Sequence, residues 1–235
     1  MFEIIAFDAD DTLWKNEDNY LDVLHKLQHI LSRFASPADV ETILNEAEHR
    51  NVPYYGYGIK SYILSCLETA VIATKDQLTS KETRKILDLG KYMVDVEVEL
   101  LDHVQEAIET LSSKYALMLL TKGDLLDQER KLARSGLAPH FQYIEIVSGK
   151  QPENYAAILK RYQIEPSRFL MIGNSLRSDI LPVIAIGGQA VHIPHASTWV
   201  HERVDPSEAA HHDYHELASI QMLPAWLEEY KHHRH

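Results

Sequence analysis

A chain of 235 residues, 45% hydrophobic and 25% charged, can bury a core large enough to fold without disulfide or metal staples. Its formal net charge of −12 argues against a nucleic-acid binder, and no apolar run approaches the roughly 18 residues of a membrane span. Cys66 is the single cysteine, so no internal disulfide can form. With no secretory signal at the start of the chain, a reducing, cytoplasmic setting is expected.

Phe2 to Phe7 is a short apolar run that meets carboxylates at once, the pattern of a buried parallel strand entering a polar loop. From Asn19 to Phe34, Leu21, Leu24, Leu27, Ile30 and Leu31 recur at helical spacing. Ser36-Pro37-Ala38-Asp39 then reads as the N-cap, first-position proline and acidic third position of a helix running to about Arg50. Asn51 to Gly58, with Pro53, Gly56, Gly58 and three tyrosines, reads as a loop. Ile59 to Ala73 and Ser80 to Val94 supply two further helices. Helix thus follows helix without a strand from residue 19 to residue 94.

After Val96 the pattern alternates. Asp102–Ser113 is a helix, Tyr115–Leu120 a strand, Leu125–Ser135 a helix closed by Gly136, and Tyr143–Val147 a strand. Asn154–Tyr162 is helical, Phe169–Ile172 a strand, Ser178–Ile186 a helix, Ala190–Ile193 a strand and Leu217–Tyr230 a last helix. Alternation of this kind predicts right-handed crossovers and a parallel sheet covered on both faces. The expected fold is therefore α/β: a doubly wound, Rossmann-like parallel sheet (1–15 and 97–235) split after its first strand by an all-helical insert (16–96). The tail His232–His235 is expected to be unstructured.

Ligands of open parallel sheets bind beyond the carboxyl ends of the strands. The first strand is followed by Asp8-Ala9-Asp10-Asp11-Thr12 and the second by Thr121-Lys122-Gly123-Asp124. Ser148-Gly149-Lys150 follows the third, and Gly173-Asn174-Ser175 the fourth, with Asp179 six positions past Gly173. These residue types suit phosphoryl transfer. A carboxylate nucleophile divides a hard hydrolysis into two easier displacements, and a second carboxyl two residues on can protonate the leaving alkoxide and then activate water. Oxygen-bound magnesium offsets the repulsion between two anions, while hydroxyl, lysine and backbone N–H groups cradle the phosphoryl oxygens.

Over nearly its whole length the sequence resembles the haloacid dehalogenase superfamily, and within it the phosphatases with a helical, C1-type cap. Asp8-Ala9-Asp10-Asp11-Thr12-Leu13 is similar to the family's first motif, which implies Asp8 as nucleophile and Asp10 as acid/base and donor of a backbone oxygen to the metal. Thr121 corresponds to the second motif's phosphate-binding hydroxyl, with Lys122 beside it, and Lys150 to the third motif's lysine. Gly173-Asn174-Ser175 through Asp179 is similar to the fourth, metal-binding motif. The family usually has Gly-Asp there, so Asn174 departs from it: an amide oxygen can ligate magnesium but brings no charge. The resemblance implies Asp8, Asp10, Asn174 and Asp179 as Mg2+ ligands and the helical insert as a cap that selects substrate.

Other features carry a plainer reading. Gly149-Lys150 is no nucleotide P-loop, because Ile144 stands where the motif's first glycine belongs and Gln151 replaces Ser/Thr. His211-His212-Asp213-Tyr214-His215 reads as a solvated loop, His192 and His195 as structural or rim residues. Thr12 reads as a turn hydroxyl orienting the acid, Trp14 as a hinge or core aromatic, and Cys66 as packing. The loop containing Tyr57, with Lys60 after it, is either a tight turn or a substrate-contacting element. The expected function is magnesium-dependent hydrolysis of a small phosphorylated metabolite. A 2-haloacid dehalogenase, a phosphomutase and a catalytically weak binding protein are the competing readings, and oligomeric state stays open.

Overall fold

The computed structural model describes residues 2–196, 199, 202, 204 and 214–233. The chain separates into two compact units. One comprises Met1–Lys15, Val98–Lys122 and Arg130–His235; the other comprises Asn16–Glu97 and Gly123–Glu129.

The first unit is built on a parallel sheet of six strands: β1 (Ile4–Phe7), β2 (Ala116–Lys122), β3 (Tyr143–Val147), β4 (Phe169–Gly173), β5 (Gln189–His192) and β6 (His215–Glu216). Their spatial order is β3-β2-β1-β4-β5-β6. All pairs are parallel; Phe7 stands level with Leu119 on one side and Ile172 on the other. The pleat sorts the strand residues into two cores. Ile5, Phe7, Leu117, Leu119, Leu170, Ile172 and Val191 face one cluster, which also holds Ile108 and Leu111 of α5 (Val104–Ser112). Ile4, Ala6, Met118, Leu120, Phe169, Met171 and Ala190 face the other, with Tyr155, Ile158 and Leu159 of α7 (Pro152–Tyr162). Burial on both faces is why these strands read as unbroken apolar runs. The chain leaves β1 toward β2 on one side and reaches β4 on the other, so the switch point of the sheet lies between β1 and β4.

The second unit packs α1 (Glu17–Leu31), α2 (Pro37–Tyr55), α3 (Ile59–Ala73) and α4 (Ser80–Asp95) around Val23, Leu27, Leu44, Cys66, Ile86 and Met93. Ser36 caps α2 by accepting from Asp39 N at 3.2 Å, and Thr79 and Glu82 form a reciprocal capping box on α4.

Two expectations yield to tertiary contacts. α2 does not stop near Arg50 but runs through Pro53 to Tyr55, ending at Gly56 with φ of 72°. Asn51, predicted as loop, is buried on that helix and donates to Ser65 Oγ at 3.1 Å and Glu68 Oε2 at 2.8 Å on α3. The last helix also starts later than predicted. Residues 215–216 form β6 beside β5, and the helix proper, α9, spans Leu223–His233. His215 therefore belongs to the sheet, packed against Trp226 and Tyr230, rather than to a solvated loop. His211–Asp213 lie outside the described residues, as do Arg234 and His235; the predicted unstructured tail is helical as far as His233. Ahead of β5 stands α8 (Leu181–Ala185), preceded by one π-helical turn over Leu176–Ile180. α6 (Leu125–Ser135) matches its predicted span. No described helix is long and apolar enough to cross a membrane.

Candidate active site

Asp8 follows β1 directly and is fixed by its own backbone, whose N–H donates to Ile172 O of β4 at 2.9 Å. The chain then turns tightly. Thr12 N and Leu13 N both donate to Ala9 O, at 3.2 and 2.8 Å, and Asp11 takes a left-handed φ of 57°. An aspartate tolerates that conformation better than most residues. This turn keeps Asp8 and Asp10 on one short loop at the sheet's switch point.

Three charges from three strand ends meet here. The Lys150 ammonium donates to Asp8 Oδ1 at 2.5 Å and to Asp179 Oδ1 at 2.6 Å, and Lys150 and Asp179 are buried. Burial first, and the neighbouring Asp179 carboxylate second, push the Asp8 carboxyl up to about 7 against the pull of Lys150. Lys150 is itself held charged: burial opposes its ammonium, but Asp179 and Asp8 raise its pKa above the usual lysine range. Two buried carboxyl groups share one cation, so one negative charge is unmatched when both are ionised.

The loop after β4 is shaped around Asp179. Ser175 N donates to Asp179 Oδ2 at 3.0 Å, and a Cβ on Gly173 would stand 2.2 Å from the same oxygen. Gly173 is thus required by close approach, not by its backbone angle. Asn174 is held from two sides. Its amide Oδ1 accepts from Thr12 Oγ1 at 3.2 Å while its N–H donates to Thr12 Oγ1 at 3.1 Å. Its main-chain oxygen accepts from His192 Nε2 at 3.0 Å, and His192 Nδ1 pairs with Glu216 Oε2 at 3.0 Å. Thr12 therefore braces Asn174 rather than orienting Asp10.

Asp10 is oriented instead by Trp14, whose Nε1–H donates to Oδ1 at 2.7 Å, and by Lys131 of α6, which donates to the same oxygen at 3.1 Å. Trp14 is fully buried, so it packs in the core and anchors Asp10 at once.

Thr121 and Lys122 are the last two residues of β2, which runs two positions further than predicted. The Thr121 hydroxyl is buried and donates to Lys122 O at 3.3 Å. Lys122 donates to Ser178 Oγ at 2.9 Å and pairs with Glu202, whose carboxylate also accepts from Ser175 Oγ and, at 2.6 Å, from Ser178 Oγ. Burial alone would raise the Glu202 pKa; Lys122 and the two serines bring it down to about 2. No motif points to Glu202 or Lys131, since both act at long sequence separation from their partners.

In the helical unit, Lys60 has a partner in Asp124: its backbone N–H donates to Oδ2 at 3.0 Å and its ammonium lies 3.3 Å from Oδ1. Gly58, with φ of 111°, is required there because a Cβ would meet Asp124 N at 2.7 Å. Tyr57 is half-buried, while Tyr54 and Tyr55 are exposed at the end of α2.

The oxygen-rich set suits a hard cation. Among the described residues no group of three or more His, Cys, Asp or Glu side chains is placed so that it could hold a metal ion. Magnesium needs only one or two carboxylates, with neutral oxygens, water and substrate filling its other positions. The negative charge shared by Asp8 and Asp179 fits that requirement.

The family of haloacid dehalogenase-like hydrolases matches the chain over residues 2–187. The protein belongs to this family. A haloacid dehalogenase-like family hydrolase from Xanthomonas campestris is 36% identical, with 97% of this chain and 91% of that one covered at a TM-score of 0.86. A putative hydrolase of the family from Bacillus subtilis, bound to magnesium, is 17% identical over 97% and 99% of the two chains, with a TM-score of 0.70. A 2-haloacid dehalogenase from Pseudomonas syringae is 20% identical over 98% and 100%, with a TM-score of 0.65. The last two likenesses show the fold alone. A search of curated proteins finds no match.

Proposed function

We propose that this hydrolase cleaves small phosphate monoesters through an aspartyl-phosphate on Asp8, with magnesium as cofactor and the helical unit as a C1-type cap. The observation that carries the reading is Asp10: a second carboxyl two residues past the nucleophile, anchored by Trp14 and Lys131. Displacement at carbon, as in a dehalogenase, needs no acid at that position; expulsion of an alkoxide from phosphorus does.

Asp8 attacks phosphorus as its anion. Asp10 gives its proton to the leaving oxygen, then takes one from the water that cleaves the aspartyl-phosphate. Thr121 and Lys150 hold the phosphoryl oxygens. Lys122 stands beside Thr121 with its charge matched by Glu202, which makes it the weaker of the phosphate-binding candidates. Asp8, Asp179, the Asn174 amide and the Asp10 main-chain oxygen would hold Mg2+, which supplies the positive charge that lets one anion approach another. The substrate's alcohol half is left to the cap, where Lys60 and Tyr57 are the candidate contacts and Asp124 competes for Lys60.

Phosphate release from a panel of monoesters, with and without magnesium, tests the reading against Asp8→Asn. The expected result is magnesium-dependent release that the substitution abolishes; equal release by both proteins refutes the mechanism. Halide release from a 2-haloacid, or isomerised product without free phosphate, would assign the chain to the rival chemistries.

A further inference from the structure

Lys131 has no counterpart among the motif residues, yet it reaches the same oxygen of Asp10 as Trp14 does. It is 121 residues away in sequence, on α6, and its side chain is only 14% exposed. Lysines of an amphipathic helix usually extend their charge into water, so one turned inward onto a carboxylate is held there by that ion pair. The two N–H donors converge on Oδ1. Two donors from different elements fix the direction in which the carboxyl group points.

We propose that Lys131 is a positioning residue for Asp10: together with Trp14 it anchors Oδ1 and so holds the carboxyl group in the orientation in which it exchanges a proton with the leaving group. The proposal rests on the phosphohydrolase reading above. In the first step the bond from phosphorus to the leaving oxygen breaks as the bond to Asp8 forms. The carboxyl O–H bond of Asp10 breaks with them, and its proton goes to the departing oxygen. In the second step the Asp10 carboxylate takes a proton from water as the water oxygen bonds to phosphorus and the bond to Asp8 breaks. Lys131 keeps its own protons throughout.

A role in orienting the acid has a signature that a purely structural role lacks, namely dependence on the leaving group. kcat/KM is measured for wild type, Lys131→Met and Lys131→Arg on p-nitrophenyl phosphate, phenyl phosphate and an alkyl phosphate. The first ester expels an anion that needs little protonation; the last needs a full proton. Lys131→Met is expected to lose about 10- to 100-fold on the alkyl ester, part of the general-acid contribution, and less than about threefold on p-nitrophenyl phosphate. Lys131→Arg is expected to recover most of the loss. Equal losses across the series, or none, overturn the proposal. Should Lys131→Met fail to fold, Trp14→Phe removes the other Oδ1 donor and must give the same leaving-group signature. If wild type releases no phosphate that depends on Asp8, the phosphohydrolase reading itself falls; wild-type activity with a uniform Lys131→Met loss overturns only the role of Lys131.

Discussion

Replacing Gly173 by alanine sets local propensity against packing, and the two predict opposite signs. Gly173 ends β4 with a φ outside the left-handed region, where alanine is favoured over glycine by roughly 0.5–1 kcal/mol. The added Cβ, however, would stand 2.2 Å from Asp179 Oδ2, 2.4 Å from Cγ and 2.5 Å from Cβ, where ordinary contacts begin near 3.4 Å. Asp179 is fully buried and has no room to rotate away without releasing Ser175 N and disturbing Lys150. Loss of one bond to a charged group costs about 1.5–3 kcal/mol, and overpacking a tight site about 1–3 kcal/mol. After the propensity gain is subtracted, Gly173→Ala is expected to destabilise the sheet unit by about 2–5 kcal/mol, a large share of a typical domain's stability.

Urea unfolding followed by tryptophan fluorescence measures this directly. All three tryptophans, Trp14, Trp199 and Trp226, belong to the sheet unit, so the signal isolates its transition even if the helical unit unfolds separately. The midpoint should fall with little change in slope. In an Asp179→Gly background the obstructing side chain is gone, and the alanine should then cost less than about 1 kcal/mol. A Gly173→Ala protein as stable as wild type, or an equal loss in both backgrounds, would refute the reasoning.

Glu202 and Cys66 give two further expectations. The Glu202 pKa is lowered from 4.5 to about 2, so its contribution is fully present above pH 4.5 and is lost as pH falls through 2. Glu202→Gln should therefore remove on the order of 3 kcal/mol of stability at neutral pH and flatten the acid limb between those values. Acid titrations of the two proteins that run parallel would contradict the Lys122–Glu202 pairing. Cys66 is fully buried among apolar side chains, and burial pushes its thiol pKa up, so a thiol reagent at pH 8 should label it only as fast as the helical unit opens. Stoichiometric labelling in minutes without denaturant would mean that this core is not closed.

The central strands β2, β1, β4 and β5 were legible because they are buried on both faces, leaving apolar runs such as Phe169–Ile172 with no alternation to misread, whereas the two-residue β6 gave no such run. Asp8, Thr121 and Asn174 could be located because each directly follows one of those runs. Asn51 was misread as loop because Pro53 and the glycines dominate local propensity, whereas its bonds to Ser65 and Glu68 form only once α2 and α3 pack. Trp14, Lys131 and Glu202 escaped for the same reason. An indole beside a motif looks like core, and a lysine on an amphipathic helix looks solvated, until tertiary structure brings each to its carboxylate or ammonium partner.

Asn174 shows what the geometry adds to a motif comparison. Read alone, an amide in place of a carboxylate suggests a weakened metal site. In the structure the residue is braced at three atoms: Oδ1 and N–H by Thr12, and its main-chain oxygen by His192. A carboxylate here would also accept from Thr12, but it would add a third anion to a cluster in which Asp8 already stands at about 7 beside Asp179. The neutral amide keeps the oxygen and its orientation without that repulsion. Under the proposed mechanism, Asn174→Asp therefore exchanges stability of the metal-free site for charge toward magnesium. The two effects separate experimentally, because the first is read by unfolding in chelator and the second by the magnesium dependence of phosphate release.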